Sequence, residues 1–176
     1  YIDELFPQRP AGLRGSLAIE SDQPLAAVTL REIRNRFGEP LYTTLPVVDA
    51  AAPTTSATAV LPQIAAGEGY STQVLLMNPG TTTMRGRILL YASNGARTLS
   101  LSNGTSTGTT FSYTISPNGI FRTELTTTSA LAVGWAQIVP DSGNLTPAGT
   151  AVFQYKDNGQ VITEASAPAS KETTLA

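Results

Sequence analysis

The sequence predicts an all-β chain: an antiparallel β-sandwich, immunoglobulin-like in general architecture, preceded by an N-terminal three-stranded β segment. Three observations carry this expectation. Apolar and polar residues alternate through most of the chain, the period of a strand with one buried face. No stretch longer than two turns places apolar residues at i, i+3, i+4 and i+7, so no substantial amphipathic helix is expected. Four Asn-Gly pairs, at 94–95, 103–104, 118–119 and 158–159, mark returns of the chain, because this dipeptide accepts φ > 0 at both centres of a hairpin turn.

The elements follow in order. Ile2 to Phe6 reads as one helical turn with acids early and Pro7 to stop it. Three strands are then expected. Leu17 to Ile19 is the first, Leu25 to Ile33 carries Ala26, Val28 and Leu30 on one parity, and Leu41 to Val48 carries Leu41, Leu45 and Val47 together. Asn35 to Pro40 is a turn, which makes the second and third a hairpin. Three strands with one apolar face cannot close a core. Asp49 to Ala59 is small, hydroxylated and interrupted by Pro53, a semi-extended connector and the best boundary in the chain. The expected organisation is therefore residues 1–48 as a β segment, 49–59 as linker, 60–168 as a sandwich and 169–176 as a tail. Nine strands are expected beyond the linker: Val60–Ile64, Ser71–Asn78, Arg85–Tyr91, Arg97–Leu101, Thr109–Ile115, Gly119–Leu125, Leu131–Val139, Gly149–Tyr155 and Gln160–Glu164. Leu131 to Val139 is apolar on both parities, so it is expected at the centre, with Trp135 as the large core anchor. The competing reading stacks Trp135 on a sugar.

Composition narrows the chemistry. The chain has no His and no Cys, which removes imidazole relays, thiolate nucleophiles, zinc knuckles and disulfides. Net charge is -2, leaving no basic excess for phosphates, so nucleic acid is not an expected partner. No apolar run approaches the ~20 residues of a spanning helix, and the opening YIDELFPQRP has neither the basic nor the apolar region of a signal peptide. Starting without Met, it reads as processed or as a piece of something longer. Charged residues make up 14% against the usual ~25%, while Ser and Thr supply about a fifth. Hydroxyls must solvate the surface, a composition that points to an exported structural protein.

The sandwich markers Leu61-Pro62-Gln63-Ile64 and Gly67 to Pro79, then Phe111 to Ile115 with Pro117, Val133-Gly134-Trp135-Ala136, Ala151-Val152-Phe153, and Val161 to Ala165 before Pro168, occur in one order. In that order the chain resembles a β-sandwich repeat module of large secreted and surface proteins of environmental bacteria. The resemblance spans about residues 60–168. Residues 1–48, from Ile2-Asp3-Glu4-Leu5-Phe6-Pro7 through Leu25 to Leu30 and Leu41 to Val48, look like the closing half of a companion module. The resemblance implies that the chain opens halfway through one sandwich, and it implies a structural or adhesive context with no catalytic residues to transfer.

Candidate chemistry is sparse. Glu68, Glu124, Asp141, Asp157 and Glu164 are the acid/base stock of the sandwich, but a glycosidase needs two carboxyls about 5–10 Å apart across a cleft, and no aromatic-rich cleft signature accompanies them. Asp141 to Asn144 and Asp157 to Gly159 offer oxygens to Ca²⁺ but lack EF-hand spacing, and turns require the same residues. Gly67-Glu68-Gly69 lacks the strand-to-helix context of a phosphate cradle. No cofactor or metal is expected, and the chain is not expected to be an enzyme. Asn103-Gly104-Thr105 and Asn144-Leu145-Thr146 meet the glycan-acceptor pattern at Asn103 and Asn144. Arg85 and Arg87 share a strand face and read as a charged edge guard.

The expectation is therefore an extracellular or cell-surface structural subunit that polymerises head to tail with copies of itself. The hairpin completes a neighbour's sheet, with Leu30, Leu41, Leu45, Val47 and Val48 as its buried face. The alternative is an adhesion or carbohydrate-binding sandwich module of a larger surface protein, with glycans as partners.

Overall fold

A computed structural model of the chain describes residues 1–10, 15–52 and 55–171. Pro53 and Thr54 of the expected connector, and residues 172–176 of the expected tail, lie outside the described residues. A one-turn helix, α1 (Ile2–Leu5), opens the chain. Strands β1 (Thr29–Arg34) and β2 (Pro40–Leu45) form an antiparallel hairpin. After the connector come β3 (Ala59–Ala66), β4 (Tyr70–Met77), β5 (Met84–Ala92), β6 (Leu101–Ser102) and β7 (Thr107–Gly108). They are followed by β8 (Thr110–Ile115), β9 (Ile120–Leu125), β10 (Ala132–Pro140), β11 (Ala148–Asp157), β12 (Gln160–Pro168) and β13 (Ser170–Lys171).

The protein is all-β, and its two large antiparallel sheets pack as a β-sandwich. One has five strands in the order β13-β3-β10-β5-β8, the other four in the order β12-β11-β4-β9. The core between them is built from alternate residues of both sheets, among them Leu61, Ile64, Val74, Leu76, Ile88, Leu90, Phe111, Tyr113, Leu125, Ile138 and Ala151. Every buried hydrophobic side chain of that core lies at or beyond Ala59. The described residues of 1–48 add nothing to it.

Several expectations need correction. Among its described residues the N-terminal segment has two strands, not three: residues 15–28 form none, and Leu17 and Ile19 are exposed with no strand assigned around them. The expected strand at 97–101 shrinks to Leu101–Ser102, paired with Thr107–Gly108. The tail is not free either, since Ser170–Lys171 crosses from the four-stranded sheet to pair with Val60 and Ala59 at the edge of the other. Trp135 is not in the core. On β10 the buried positions are Gly134, Ala136 and Ile138, so Trp135 points outward, half-buried. There it stacks on its cross-strand neighbour Tyr91 with ring centroids 4.2 Å apart and planes 10° from parallel.

The Asn-Gly pairs do different jobs. Only Asn158-Gly159 is a tight hairpin turn with φ > 0 at both residues, 49° and 78°, joining β11 to β12. Asn118-Gly119 carries the chain from one sheet to the other, between β8 and β9. A second turn of this kind is made without Asn: Glu68-Gly69, at φ 52° and 89°, closes the arch between β3 and β4, which belong to different sheets.

Candidate functional site

The hairpin at residues 29–45 is shaped by Asn35. Its side-chain Oδ1 accepts the amides of Phe37 and Glu39, both at 2.9 Å, its own amide donates to the Glu39 carbonyl at 3.0 Å, and Gly38 supplies the left-handed residue at φ 79°. The loop between the strands thus has an odd number of residues, Asn35 to Glu39, and an odd loop pairs residues of like parity. Ile33 sits opposite Leu41, Arg31 opposite Thr43, Thr29 opposite Leu45, and Leu30 opposite Thr44. Directly opposed side chains share a face. One face therefore carries Ile33, Leu41 and Leu45 with Arg31 and Thr43; the other carries Leu30 and Tyr42 with Glu32, Arg34 and Thr44.

The first face packs against the outer surface of the four-stranded sheet of the same chain. That surface carries a polar row beside the buried Val152. Arg31 donates to Glu164 Oε2 at 2.6 Å, and Gln154 Nε2 donates to the same oxygen at 2.6 Å. Gln73 Nε2 reaches Gln154 Oε1 at 3.4 Å. The Glu164 side chain is 0% exposed, and Gln154 and Gln73 are 3% and 5% exposed. Two further contacts hold the hairpin beside β12: Ser166 Oγ donates to the Thr44 carbonyl at 2.6 Å, and the Arg36 amide to the Val161 carbonyl at 3.2 Å. Arg36 also pairs with Asp157. The fit is incomplete, because Glu164 Oε1 on the sandwich and Thr43 Oγ1 on the hairpin are buried with no hydrogen-bond partner, and an unpaired buried polar atom costs about 1–3 kcal/mol.

The structure divides the five expected interface residues. Leu41 and Leu45 lie on the packed face and are half-buried. Leu30 lies on the opposite face, 62% exposed, because the odd-length turn puts the apolar parities of the two strands on different sides. Val47 is 52% exposed beyond the end of β2. Val48 is half-buried at a recess of about 220 Å³ where the connector meets Pro147 and Ala169. The end of the connector is anchored there, with Thr146 donating through its amide to the Thr55 carbonyl at 2.7 Å and through Oγ1 to the Ala57 carbonyl at 2.6 Å. Tyr1 folds back over the outer hairpin face and donates to Glu32 Oε2 at 2.6 Å. That bond to Glu32, and the charge of Glu32, push the Tyr1 phenol up to about 12.

The remaining candidates lie elsewhere on the sandwich. Asn144 Oδ1 accepts the Arg85 amide at 2.9 Å, and Asn103 Oδ1 accepts the amides of Thr105 and Ser106 at 3.0 and 2.8 Å, so both acceptor-pattern asparagines organise turns. Arg87 lies 3.7 Å from Asp141. Partial burial pushes the Glu124 carboxyl up, but the hydrogen bond from Lys156 at 2.6 Å and the charges of Lys156 and Arg122 outweigh it and hold its pKa below the ordinary value. Among the described residues no group of three or more acids forms a metal cluster, and no helix is long and apolar enough to cross a membrane. At the turn end of the sandwich, Tyr70 and Tyr155, with centroids 5.0 Å apart, rim an open hollow of about 490 Å³ with Lys156 and Asp157.

Sequence reasoning missed the seat on the sandwich. Glu164 was legible only as one more strand acid, and Gln73 and Gln154 gave no signal at all. The one hint is Val152, an apolar residue on the outward parity of β11 beside them. No protein-family model, no curated protein and no solved structure matches the chain.

Proposed function

We propose that the chain is a non-catalytic structural subunit of an extracellular or cell-surface fibre. Copies assemble head to tail, the N-terminal β segment of one completing the sheet architecture of the next. The observation that carries this reading is where the exposed apolar side chains lie. Of the sixteen large hydrophobic residues that stand exposed among the described residues, twelve fall in residues 1–48, a stretch that supplies no buried hydrophobic residue to the core. Apolar residues collected on one segment, next to a sandwich already complete, are the mark of a contact surface. A heterologous contact between this segment and another part of an identical chain does not close on itself and yields an open filament.

The test compares the full chain with residues 49–176 by sedimentation velocity and negative-stain microscopy. The truncated chain retains every residue of the core, so it is expected to fold and remain a monomer, whereas the full chain forms species of high mass. Identical sedimentation of the two would overturn the proposal.

A second reading, an adhesion or carbohydrate-binding module of a larger surface protein, is favoured by one feature: aromatic side chains outside the core, the Trp135–Tyr91 stack on the outer face of the five-stranded sheet and the Tyr70–Tyr155 pair of the four-stranded sheet at the turn end of the sandwich. Aromatic rings beside hydroxyl and amide groups suit a pyranose face. That reading expects a monomer whose Trp135 emission shifts with added oligosaccharide.

A further inference from the structure

We propose that Arg31 and Glu164 form the recognition key of the assembly contact, and that the acceptor for the hairpin of one copy is the polar outer face of the four-stranded sheet of a second copy. The inference rests on the assembly reading above and names the surface that reading leaves open.

Gln73, Gln154 and Glu164 stand on three neighbouring strands, β4, β11 and β12, and run as a hydrogen-bonded row across the face that points away from the core. Nothing in the sandwich requires an enclosed carboxylate there. The hairpin bonds to this row, and among the described residues the cation bonded to Glu164 is Arg31, with its side chain 27% exposed. Removing a carboxylate from water without a cation is strongly unfavourable, so this face selects for a strand that carries a positive charge at one position and aliphatic neighbours on either side. Arg31 flanked on its face by Ile33, Leu41 and Leu45 meets that description. The same groups meet whether the hairpin comes from the same chain or from another, which is the condition for exchange of an element between protomers.

One feature favours exchange. The contact within one chain leaves Leu30 and Tyr42 on the far face uncovered, 62% and 57% exposed, and a further copy lying against that face would bury them. Tethering by a short connector holds the hairpin at an effective concentration on the order of millimolar, so exchange is expected to set in at high chain concentration.

The test is charge-reversal complementation. Arg31→Glu and Glu164→Arg are made in separate full-length chains and examined alone and as a 1:1 mixture by sedimentation velocity and negative stain, beside the wild type. Each variant alone sets like charges at every junction, and its threshold concentration for assembly is expected to rise at least tenfold. In the mixture every junction between unlike chains restores an opposite pair while the contact within each chain stays broken, so fibres return at or below the wild-type threshold. If the wild type assembles while the mixture stays as unassembled as its components, the key is wrong and the assembly reading survives. If the wild type does not assemble, the assembly reading falls and takes this inference with it. Should circular dichroism show a reversal variant unfolded, Arg31→Gln and Glu164→Gln replace the pair. Their mixture combines a neutral junction with a native one, and the same restoration is expected; its absence overturns the inference.

Discussion

Gly67 sits in the arch that carries the chain from the five-stranded sheet to the four-stranded one, and replacing it with Ala introduces two separable penalties. The first is conformational: Gly67 has φ +98°, a backbone state L residues rarely adopt. The second is steric, since a Cβ at this position would lie 2.8 Å from the carbonyl oxygens of Ala130 and Ser129 and 3.0 Å from Thr127 Cγ2. Two of those three atoms are backbone, fixed by the strands they lead into, so relief requires moving the β9–β10 connection. Gly159 provides the control, because it has φ +78° but nothing within 4 Å of the same hypothetical atom. Gly159→Ala therefore carries the conformational penalty alone, about 1 kcal/mol. Gly67→Ala adds overpacking of about 2 kcal/mol against backbone, for about 3 kcal/mol in all. Against a total stability of roughly 5–15 kcal/mol that is a large loss. For a domain of this size it lowers Tm by about 12–15 °C, compared with about 4–5 °C for the control. Thermal unfolding followed by far-UV circular dichroism, with urea titration as a second measure, reads both. Equal shifts in the two variants would refute the reasoning, because they would show that the arch yields to the added methyl at no cost.

Tyr113 is buried with its hydroxyl unpartnered, and burial followed by the charge of Asp141 pushes its phenol well up. Tyr113→Phe is expected to match or exceed wild-type stability, by up to ~1 kcal/mol, and a clear loss would mean that the hydroxyl has a partner. A raised folded pKa also means that the stability linked to this group is intact below the ordinary phenol value and falls as pH climbs past it, so the variant should lose less stability in alkali. For Glu124 the sign is opposite: its folded pKa is depressed, and the associated stability is present above the ordinary carboxyl value and lost as pH falls through the lower folded one. Lys156→Met should cost under ~1 kcal/mol at neutral pH, given how exposed the pair is. The gap from wild type should close on acidification, and denaturant titrations showing a pH-independent gap would contradict it.

Much of the strand pattern was readable in advance because its causes are local. Ser71 to Asn78, Arg85 to Tyr91 and Gly119 to Leu125 alternate with the period of the pleat, and the structure places strands at Tyr70–Met77, Met84–Ala92 and Ile120–Leu125. Leu17 to Ile19 also alternates, yet forms no ladder, because a strand requires a neighbour to pair with. On β10 both parities are apolar, so periodicity could not tell which faced inward. The inward parity went to Gly134, Ala136 and Ile138: a Cβ on Gly134 would collide with the Tyr91 carbonyl and lie 2.9 Å from Leu99 Cδ2, so that parity has no room for a large side chain at 134 and Trp135 faces outward.

The candidate site divides in the same way. The apolar character of Leu30, Leu41 and Leu45 was plain, but which of them share a face depends on the parity of the Asn35–Glu39 turn, set by three hydrogen bonds of one residue, Asn35. The enclosed Glu164 depends on residues more than a hundred positions away, since Arg31 reaches it across the fold.

The amino-acid sequence by itself determined that this protein is all-β, where most strands run, and that its N-terminal segment is rich in apolar residues yet separated by a connector from the sandwich. Each follows from backbone preference and side-chain period within a few residues. Only the tertiary structure decided which sheet each strand joins, which side of the hairpin meets the sandwich, and that a carboxylate is enclosed beneath it. Those outcomes depend on what lies across an interface, and a strand's own residues do not encode the surface that comes to cover them.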